Sequence, residues 1–129
     1  MQPIRRLLTN LCTDDLAASK HFYTSLFGLV IAFDSDWFVH LRADGGALEV
    51  GLISPTHSIV PPAAQGATGG MYLTFVVDDV DAVFAEAQAQ GFTVLSPPDD
   101  TFYGQRRLLL HAPEGTVVDV SAPLAPMKN

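Results

Sequence analysis

Two carboxylates stand in otherwise apolar, strand-like segments and are the first candidates for chemistry. Glu49 follows Ala-Leu and precedes Val-Gly-Leu-Ile, and Asp119 is flanked by valines. A buried carboxylate needs a cation, a basic ligand or hydrogen-bond donors, because burying it unpaired is costly. As an acid–base pair they lack an accompanying nucleophile or oxyanion-stabilising group. The alternative to a ligand is an internal salt bridge between a carboxylate and an arginine of the same chain. The candidate arginines are Arg42, Arg106 and Arg107.

Aromatic side chains form a second set of candidates, since such rings stack on planar ligands and equally form cores or dimer contacts. They lie on a middle strand of the first half, or in the segment leading into a strand of the second half: Trp37, Phe38, Phe102 and Tyr103.

The histidines and the cysteine are weaker candidates for a functional site. The four histidines do not cluster, and we predict non-ligand roles for all of them: His21, His40, His57 and His111. Cys12 is the only cysteine, which excludes an internal disulfide and a cysteine-based zinc site.

Composition narrows the function classes. Among 129 residues, 48% are hydrophobic and 16% charged, and the formal net charge is -7. An acidic chain is a poor nucleic-acid binder, because that binding depends on basic side chains that neutralise phosphates. The acid excess favours neutral or cationic ligands. We see neither a signal peptide nor the roughly 18 apolar residues of a membrane span, and therefore expect a cytoplasmic protein.

The chain contains two halves with the same order of predicted elements, and these elements position the candidate side chains. The first half is predicted as strand, helix and three strands at 6–12, 14–27, 29–34, 37–43 and 47–53. The second half repeats the order at 71–77, 79–90, 92–96, 105–111 and 116–121. A Pro- and Gly-rich linker at 54–70 separates the halves, and Pro123 and Pro126 mark a loose tail.

The helix ends have local signals. The predicted N-caps are Thr13 or Asp14 for the first helix and Asp78 or Asp79 for the second. Gly28 and Gly91 stand where a left-handed stop is needed.

Four motifs in order give the sequence a family resemblance. They are Asp15-Leu16 with Phe22-Tyr23 and Leu26-Phe27-Gly28, the segment 77–82, Gly104-Gln105-Arg106, and the ending 112–119. The chain thereby resembles the glyoxalase/bleomycin-resistance/extradiol-dioxygenase (vicinal oxygen chelate) superfamily, from about Arg6 to Ala122. The resemblance implies an α+β fold in which two βαβββ modules, at about 4–54 and 70–122, form curled mixed sheets around a cavity. It also implies a homodimer.

The metal positions of that family are altered here. The resemblance assigns them to Leu8, to Glu49 or Gly51, to Tyr72 and to Asp119. Leucine cannot ligate a metal, and tyrosine is a poor replacement for histidine. We therefore expect no cofactor; a divalent metal held by Glu49 and Asp119 is the less favoured reading.

Strand alternation extends the candidate site, because side chains two apart share a face. The predicted ligand-binding residues are Leu8, Asn10, Trp37, Glu49, Tyr72, Thr74, Phe102, Tyr103 and Asp119. We expect metal-independent binding of a small, cationic or neutral organic molecule, such as drug sequestration of the bleomycin-resistance type. A metal-dependent lyase, isomerase or dioxygenase and a non-catalytic interaction module are the alternatives. We expect no nucleic-acid or membrane partner.

Overall fold

The structure, a computed structural model, describes residues 1–66 and 69–124. The chain divides into two compact units, unit 1 at Met1–Thr68 and unit 2 at Gly69–Asn129. Pro126, predicted to lie in a loose tail, falls outside the described residues.

The described elements follow the predicted order. Unit 1 contains β1 (Thr9–Cys12), α1 (Leu16–Phe27), β2 (Val30–Asp34), β3 (Phe38–Arg42) and β4 (Glu49–Ile53), followed by a 3-10 turn at Pro62–Ala64. Unit 2 contains β5 (Tyr72–Val76), α2 (Val80–Gln90), β6 (Thr93–Asp100), β7 (Gln105–His111) and β8 (Val117–Pro123). The predicted α+β class with two βαβββ modules is confirmed, and the two sheets are curled without closing.

Unit 1 has the strand order β1-β4-β3-β2, with β1 parallel to β4 and the remaining pairs antiparallel. Asn10 aligns with Gly51, and His40 aligns with the same glycine from the other side. Leu41 and Leu52 are fully buried and face the core together with Phe22 and Tyr23 of α1. Their neighbours in sequence therefore lie on the opposite face of the sheet, which is free for other contacts.

The first helix begins two residues later than predicted. Its N-cap is Asp15, whose side chain accepts from the backbone N–H of Ala18, rather than Thr13 or Asp14. Thr13 instead accepts from the N–H of Asp15 and pairs with buried Ser19, so its hydroxyl is used just before the helix. Gly28 ends the helix with a φ of 61°, in the left-handed region where glycine has no Cβ penalty.

Unit 2 has the same arrangement, with the order β5-β8-β7-β6 and β5 parallel to β8. Asp79 caps α2 by accepting from the N–H of Ala82, which confirms one of the two predicted caps. Leu108, Leu110, Val118 and Val120 are fully buried. Arg107 and Asp119, which alternate with them along β7 and β8, therefore lie on the opposite face.

Seven of the eight predicted strands have different bounds in the structure, and three of these differences affect the interpretation. β6 runs on through two prolines to Asp100, which is tolerated because it is an edge strand and its register shifts between Ser96 and Asp99. β8 extends to Pro123, so this proline ends a strand rather than opening a tail. β1 begins at Thr9 instead of Arg6, which leaves residues 1–8 irregular; residues 1–7 are exposed and Leu8 is half-buried.

Candidate functional site

Glu49 lies at the centre of a polar cluster in unit 1. The Nε and Nη2 atoms of Arg6 donate to Glu49 Oε2 and Oε1, both at 2.6 Å. His40 Nε2 lies 2.8 Å from Oε1 and 3.3 Å from Arg6 Nη2. The Glu49 side chain is only 9% exposed, so one guanidinium fork and one imidazole cover it almost completely.

These contacts fix the electrostatics of Glu49. The hydrogen bonds from Arg6 hold the pKa of the Glu49 carboxyl below its usual value, and His40 adds to the effect. The same pairing raises the pKa of Arg6. Because Nε2 of His40 faces a carboxylate at 2.8 Å, its proton lies on that nitrogen and is donated to Glu49. Glu49 is therefore an ionised and internally compensated carboxylate.

An apolar concavity of about 340 Å³ opens beside this cluster in unit 1, and we call it the unit 1 concavity. It is lined by alternate residues at and before β1, by β3 and β4, and by the segment after β4: Leu8, Asn10, Cys12, Phe38, Ile53, Ile59, Val60, Pro61, Ala64 and Gly66. Cys12 Sγ donates to the carbonyl of Ala64 at 3.5 Å, which ties that segment to β1. The predicted linker therefore contributes a wall of the concavity.

Gly51 leaves room for two side chains at this concavity. A Cβ there would lie 2.2 Å from Asn10 Oδ1 and 3.0 Å from Phe38 Cε1. The missing side chain therefore lets the Asn10 amide lie close to the backbone of β4. The Asn10 side chain makes no hydrogen bond to a described residue, so its donors and its acceptor are available to a ligand.

Asp119 is the corresponding carboxylate of unit 2, and its side chain is 8% exposed. Ser121 Oγ donates to Oδ1 at 2.6 Å, and Thr74 Oγ1 donates to Oδ2 at 3.0 Å. Arg107 Nε lies 3.2 Å from Oδ1 and forms an ion pair with it without the angle of a hydrogen bond. Both predicted carboxylates thus have internal arginine partners.

A second concavity, of about 480 Å³, surrounds this cluster and is called the unit 2 concavity. Its lining comes from β5, β7 and β8 and from the turn before β7: Tyr72, Thr74, Val76, Tyr103, Gln105, Arg107, Asp119 and Ser121. The Arg107 Cζ atom stands over the Tyr72 ring, 5.9 Å from its centroid, within the range of a cation–π contact.

The remaining predicted aromatic residues lie elsewhere. Trp37 stacks on His57, with ring centroids 3.9 Å apart, and lines neither concavity. Phe102 is fully exposed, packs edge-on against Tyr103, and borders a third, polar concavity of about 420 Å³ beside Arg107.

Sequence reasoning missed two partners of Glu49. Arg6 was read as the first residue of a strand, and His40 was given no site role. Alternation from Arg42 in β3 puts His40 on the face of Glu49, so the imidazole could have been found. Arg6 belongs to an irregular segment, and nothing in its local pattern indicates Glu49.

The donor set does not fit a divalent metal. In the part of the chain that the structure describes, no three His, Cys, Asp or Glu side chains come close enough together to hold one. His40 and Glu49 are two donors, fewer than the three protein ligands of a catalytic zinc site. Guanidinium nitrogens already bind Glu49 and face Asp119, where they would repel an incoming cation.

A comparison with protein families gives a match over residues 5–120 to the glyoxalase/bleomycin resistance protein/dioxygenase superfamily. The chain belongs to this superfamily. No curated protein matches the sequence significantly. Across residues 1–66 and 69–124, no helix is both long and apolar enough to cross a membrane.

Solved structures of superfamily members share the fold. A glyoxalase/bleomycin resistance protein/dioxygenase family enzyme from Burkholderia phytofirmans is 25% identical, with a TM-score of 0.77 over 91% of this chain and 97% of that one. Lactoylglutathione lyase from Agrobacterium tumefaciens is 24% identical, with a TM-score of 0.70 over 94% and 96%. A glyoxalase-related enzyme from Fulvimarina pelagi is 20% identical, with a TM-score of 0.78 over 97% and 94%.

Proposed function

We propose that this superfamily member binds a small, mostly apolar organic molecule in the unit 1 concavity, and that binding needs no metal. The observation that carries the proposal is the amide of Asn10, which has no hydrogen-bond partner among the described residues and lies over Gly51 beside an apolar wall. A concavity of about 340 Å³ falls within the usual size of ligand pockets, which combine apolar walls with a few polar groups.

The charges around this concavity favour an uncharged ligand there. The acid excess and the Glu49 carboxylate favoured a cationic ligand when only the sequence was considered. Arg6 and His40 now compensate Glu49 through three short contacts. A cationic ligand would have to displace the Arg6 guanidinium, so a neutral molecule that hydrogen-bonds Asn10 is the better fit.

Metal independence rests on the same contacts. An arginine adjoins each of the two carboxylates that the family resemblance assigns to metal positions, and Leu8 and Tyr72 stand at the other two. The alternative function, a metal-dependent lyase, isomerase or dioxygenase, is favoured by one observation, the imidazole of His40 at 2.8 Å from Glu49. That pair would need Arg6 to leave and further donors to join.

Calorimetric titration with 2-naphthol, a neutral planar probe, tests the proposal. Gly51→Ala pushes Asn10 and Phe38 out of position, and the loss of one amide hydrogen bond should weaken binding about twofold to tenfold. Gly69→Ala is the matched control, because its Cβ meets nothing within 4 Å. Excess EDTA should change neither affinity.

Three results would contradict the proposal: equal affinities of Gly51→Ala and the wild-type chain, loss of binding in EDTA, or failure of 2-naphthol to bind at all. Glu49→Gln separates the charge classes. It should leave 2-naphthol binding unchanged, and it would weaken binding of benzylammonium if the site took cations after all.

In biological terms, the proposal is sequestration of a small molecule, as in bleomycin resistance, by a cytoplasmic homodimer. Edge strand β2 supports a dimer, because Val30, Ile31 and Phe33 are 41%, 46% and 50% exposed in this chain. Sedimentation equilibrium measures the oligomeric state. A monomer at tens of micromolar protein would contradict the homodimer. Survival of bacteria that express the chain, challenged with a toxic concentration of 2-naphthol, measures the protection.

A further inference from the structure

Two arginines that are adjacent in β7 have opposite roles. Arg106 uses its fork within the protein: it donates to both oxygens of Asp81 at 3.0 Å and to Asp100 at 2.8 Å. Arg107 points to the other face of the sheet, where only its Nε has an ionic partner, Asp119. The strand alternation that separates them thus leaves one guanidinium with unused donors.

The unused donors of Arg107 are accessible. Its Nε is buried, whereas Nη1 and Nη2 are neither buried nor hydrogen-bonded to any described residue, and the side chain is 30% exposed. The fork carries its N–H groups in a fixed plane, a geometry that matches the two oxygens of a carboxylate. Asp119 on one side and the Tyr72 ring below hold the guanidinium in orientation.

The remaining free polar groups of the unit 2 concavity include further donors. The phenol groups of Tyr72 and Tyr103 and the amide of Gln105 line it without a hydrogen bond to a described residue. The acceptors are mostly used, because Asp119 already receives Ser121, Thr74 and Arg107. A ligand that brings acceptor oxygens satisfies this set, whereas a cation would compete with Arg107 for a carboxylate that is 8% exposed.

We infer that the unit 2 concavity recognises the carboxylate of a small organic acid, through the Nη groups of Arg107 and the phenols of Tyr72 and Tyr103. This site goes beyond the proposed function, which concerns a neutral molecule in the unit 1 concavity. Three acidic residues oppose it: Asp119 lines the concavity, and Asp99 and Asp100 line the neighbouring third concavity together with Arg107. Asp119 and Asp100 have arginine partners, so the uncompensated charge among the described residues is that of Asp99. Its negative charge weakens the binding of an anion and thereby supplies a second, independent test.

The probes are benzoate, benzamide and benzylammonium, which share one ring and differ in charge. They are titrated into the full chain at low ionic strength and followed by NMR through the Arg107 Nε–H signal and the backbone amides of Tyr72 and Thr74. Benzoate should shift these signals and bind at least about tenfold more tightly than benzamide, since hydrogen bonds to charged groups are the stronger ones. Benzylammonium should leave them unchanged.

Three variants and one control, Arg42→Gln, assign the effect. Arg107→Gln should weaken benzoate about tenfold or more, whereas Arg42→Gln, an exposed strand arginine without a described partner, should not. Asp99→Asn should strengthen benzoate by about twofold to fivefold. The Tyr72→Phe/Tyr103→Phe double variant keeps the Arg107–Asp119 pair and should weaken benzoate binding. If Arg107→Gln does not fold, this double variant tests the inference in its place.

The inference is overturned if benzamide or benzylammonium binds at Arg107 as tightly as benzoate, if Asp99→Asn weakens benzoate, or if Arg107→Gln behaves like Arg42→Gln. Gly51→Ala separates the two proposals. It should affect 2-naphthol and leave benzoate unchanged, because the atoms that a Cβ at Gly51 would meet belong to Asn10 and Phe38, which do not line the unit 2 concavity.

Discussion

Replacing Asp119 with asparagine tests what holds the buried carboxylate of unit 2. The change keeps the shape of the side chain and removes its charge, which leaves Arg107 without a counter-ion 3.2 Å away. Breaking a fully buried ion pair costs about 3–5 kcal/mol. Because the Arg107 side chain is 30% exposed, water compensates part of the loss, and we expect about 1–2 kcal/mol. For a chain of this size, the melting temperature should fall by about 3–8 °C.

Urea unfolding of a double-mutant cycle measures the pair itself. The cycle compares Asp119→Asn, Arg107→Gln and the double variant with the wild-type chain, and the coupling energy should be about 1 kcal/mol. Asp78→Asn is the control, since Asp78 is exposed and makes no described side-chain contact. A coupling energy near zero would refute the ion-pair reasoning and assign the stability to the hydroxyls of Thr74 and Ser121.

Three further results are expected. The folded-state pKa of Glu49 is depressed below the ordinary value of 4.5, so the stability it contributes is present above that pH and is lost as the pH falls through the folded pKa. Glu49→Gln should therefore lower stability at pH 7 and flatten the acid limb of the urea-midpoint profile; an unchanged limb would exclude Glu49 as its cause. Asp79→Ala should cost about 1 kcal/mol through the lost N-cap, measured by urea unfolding, while Asp78→Ala should cost almost nothing. Dialysis against EDTA should leave the melting temperature unchanged by calorimetry, and a drop restored by zinc would contradict metal independence.

The repeated order of elements in the two halves was predictable because the sequence signals for each element are local. A capping aspartate, an apolar helix stripe and a glycine at a left-handed stop act within a few residues. The caps still illustrate the limit of such signals. Asp79 was among the predicted choices, whereas α1 uses Asp15, because Thr13 is held in contacts with Asp15 and Ser19.

Within the candidate site, the two carboxylates show the same contrast between what a local pattern predicts and what it does not. Alternation with apolar neighbours identified Glu49 and Asp119, and an internal arginine was one of the alternatives left open. Arg107 was one of the partners considered for that role. Arg6 was not, because it lies 43 positions from Glu49 in an irregular segment. A contact of that kind depends on where two distant parts of the chain meet.

The sequence by itself therefore determined the elements, their order, the family and the two carboxylates around which the sites form. Those properties follow from periodicity and from short-range backbone chemistry. Only the tertiary structure decided that both carboxylates are compensated by arginines and that the Asn10 amide and the Nη groups of Arg107 have no hydrogen-bond partner in the described part of the chain. Charge compensation and spare hydrogen-bonding capacity are properties of neighbours in space, and β1 meets β4, as β7 meets β8, only after the sheets have formed.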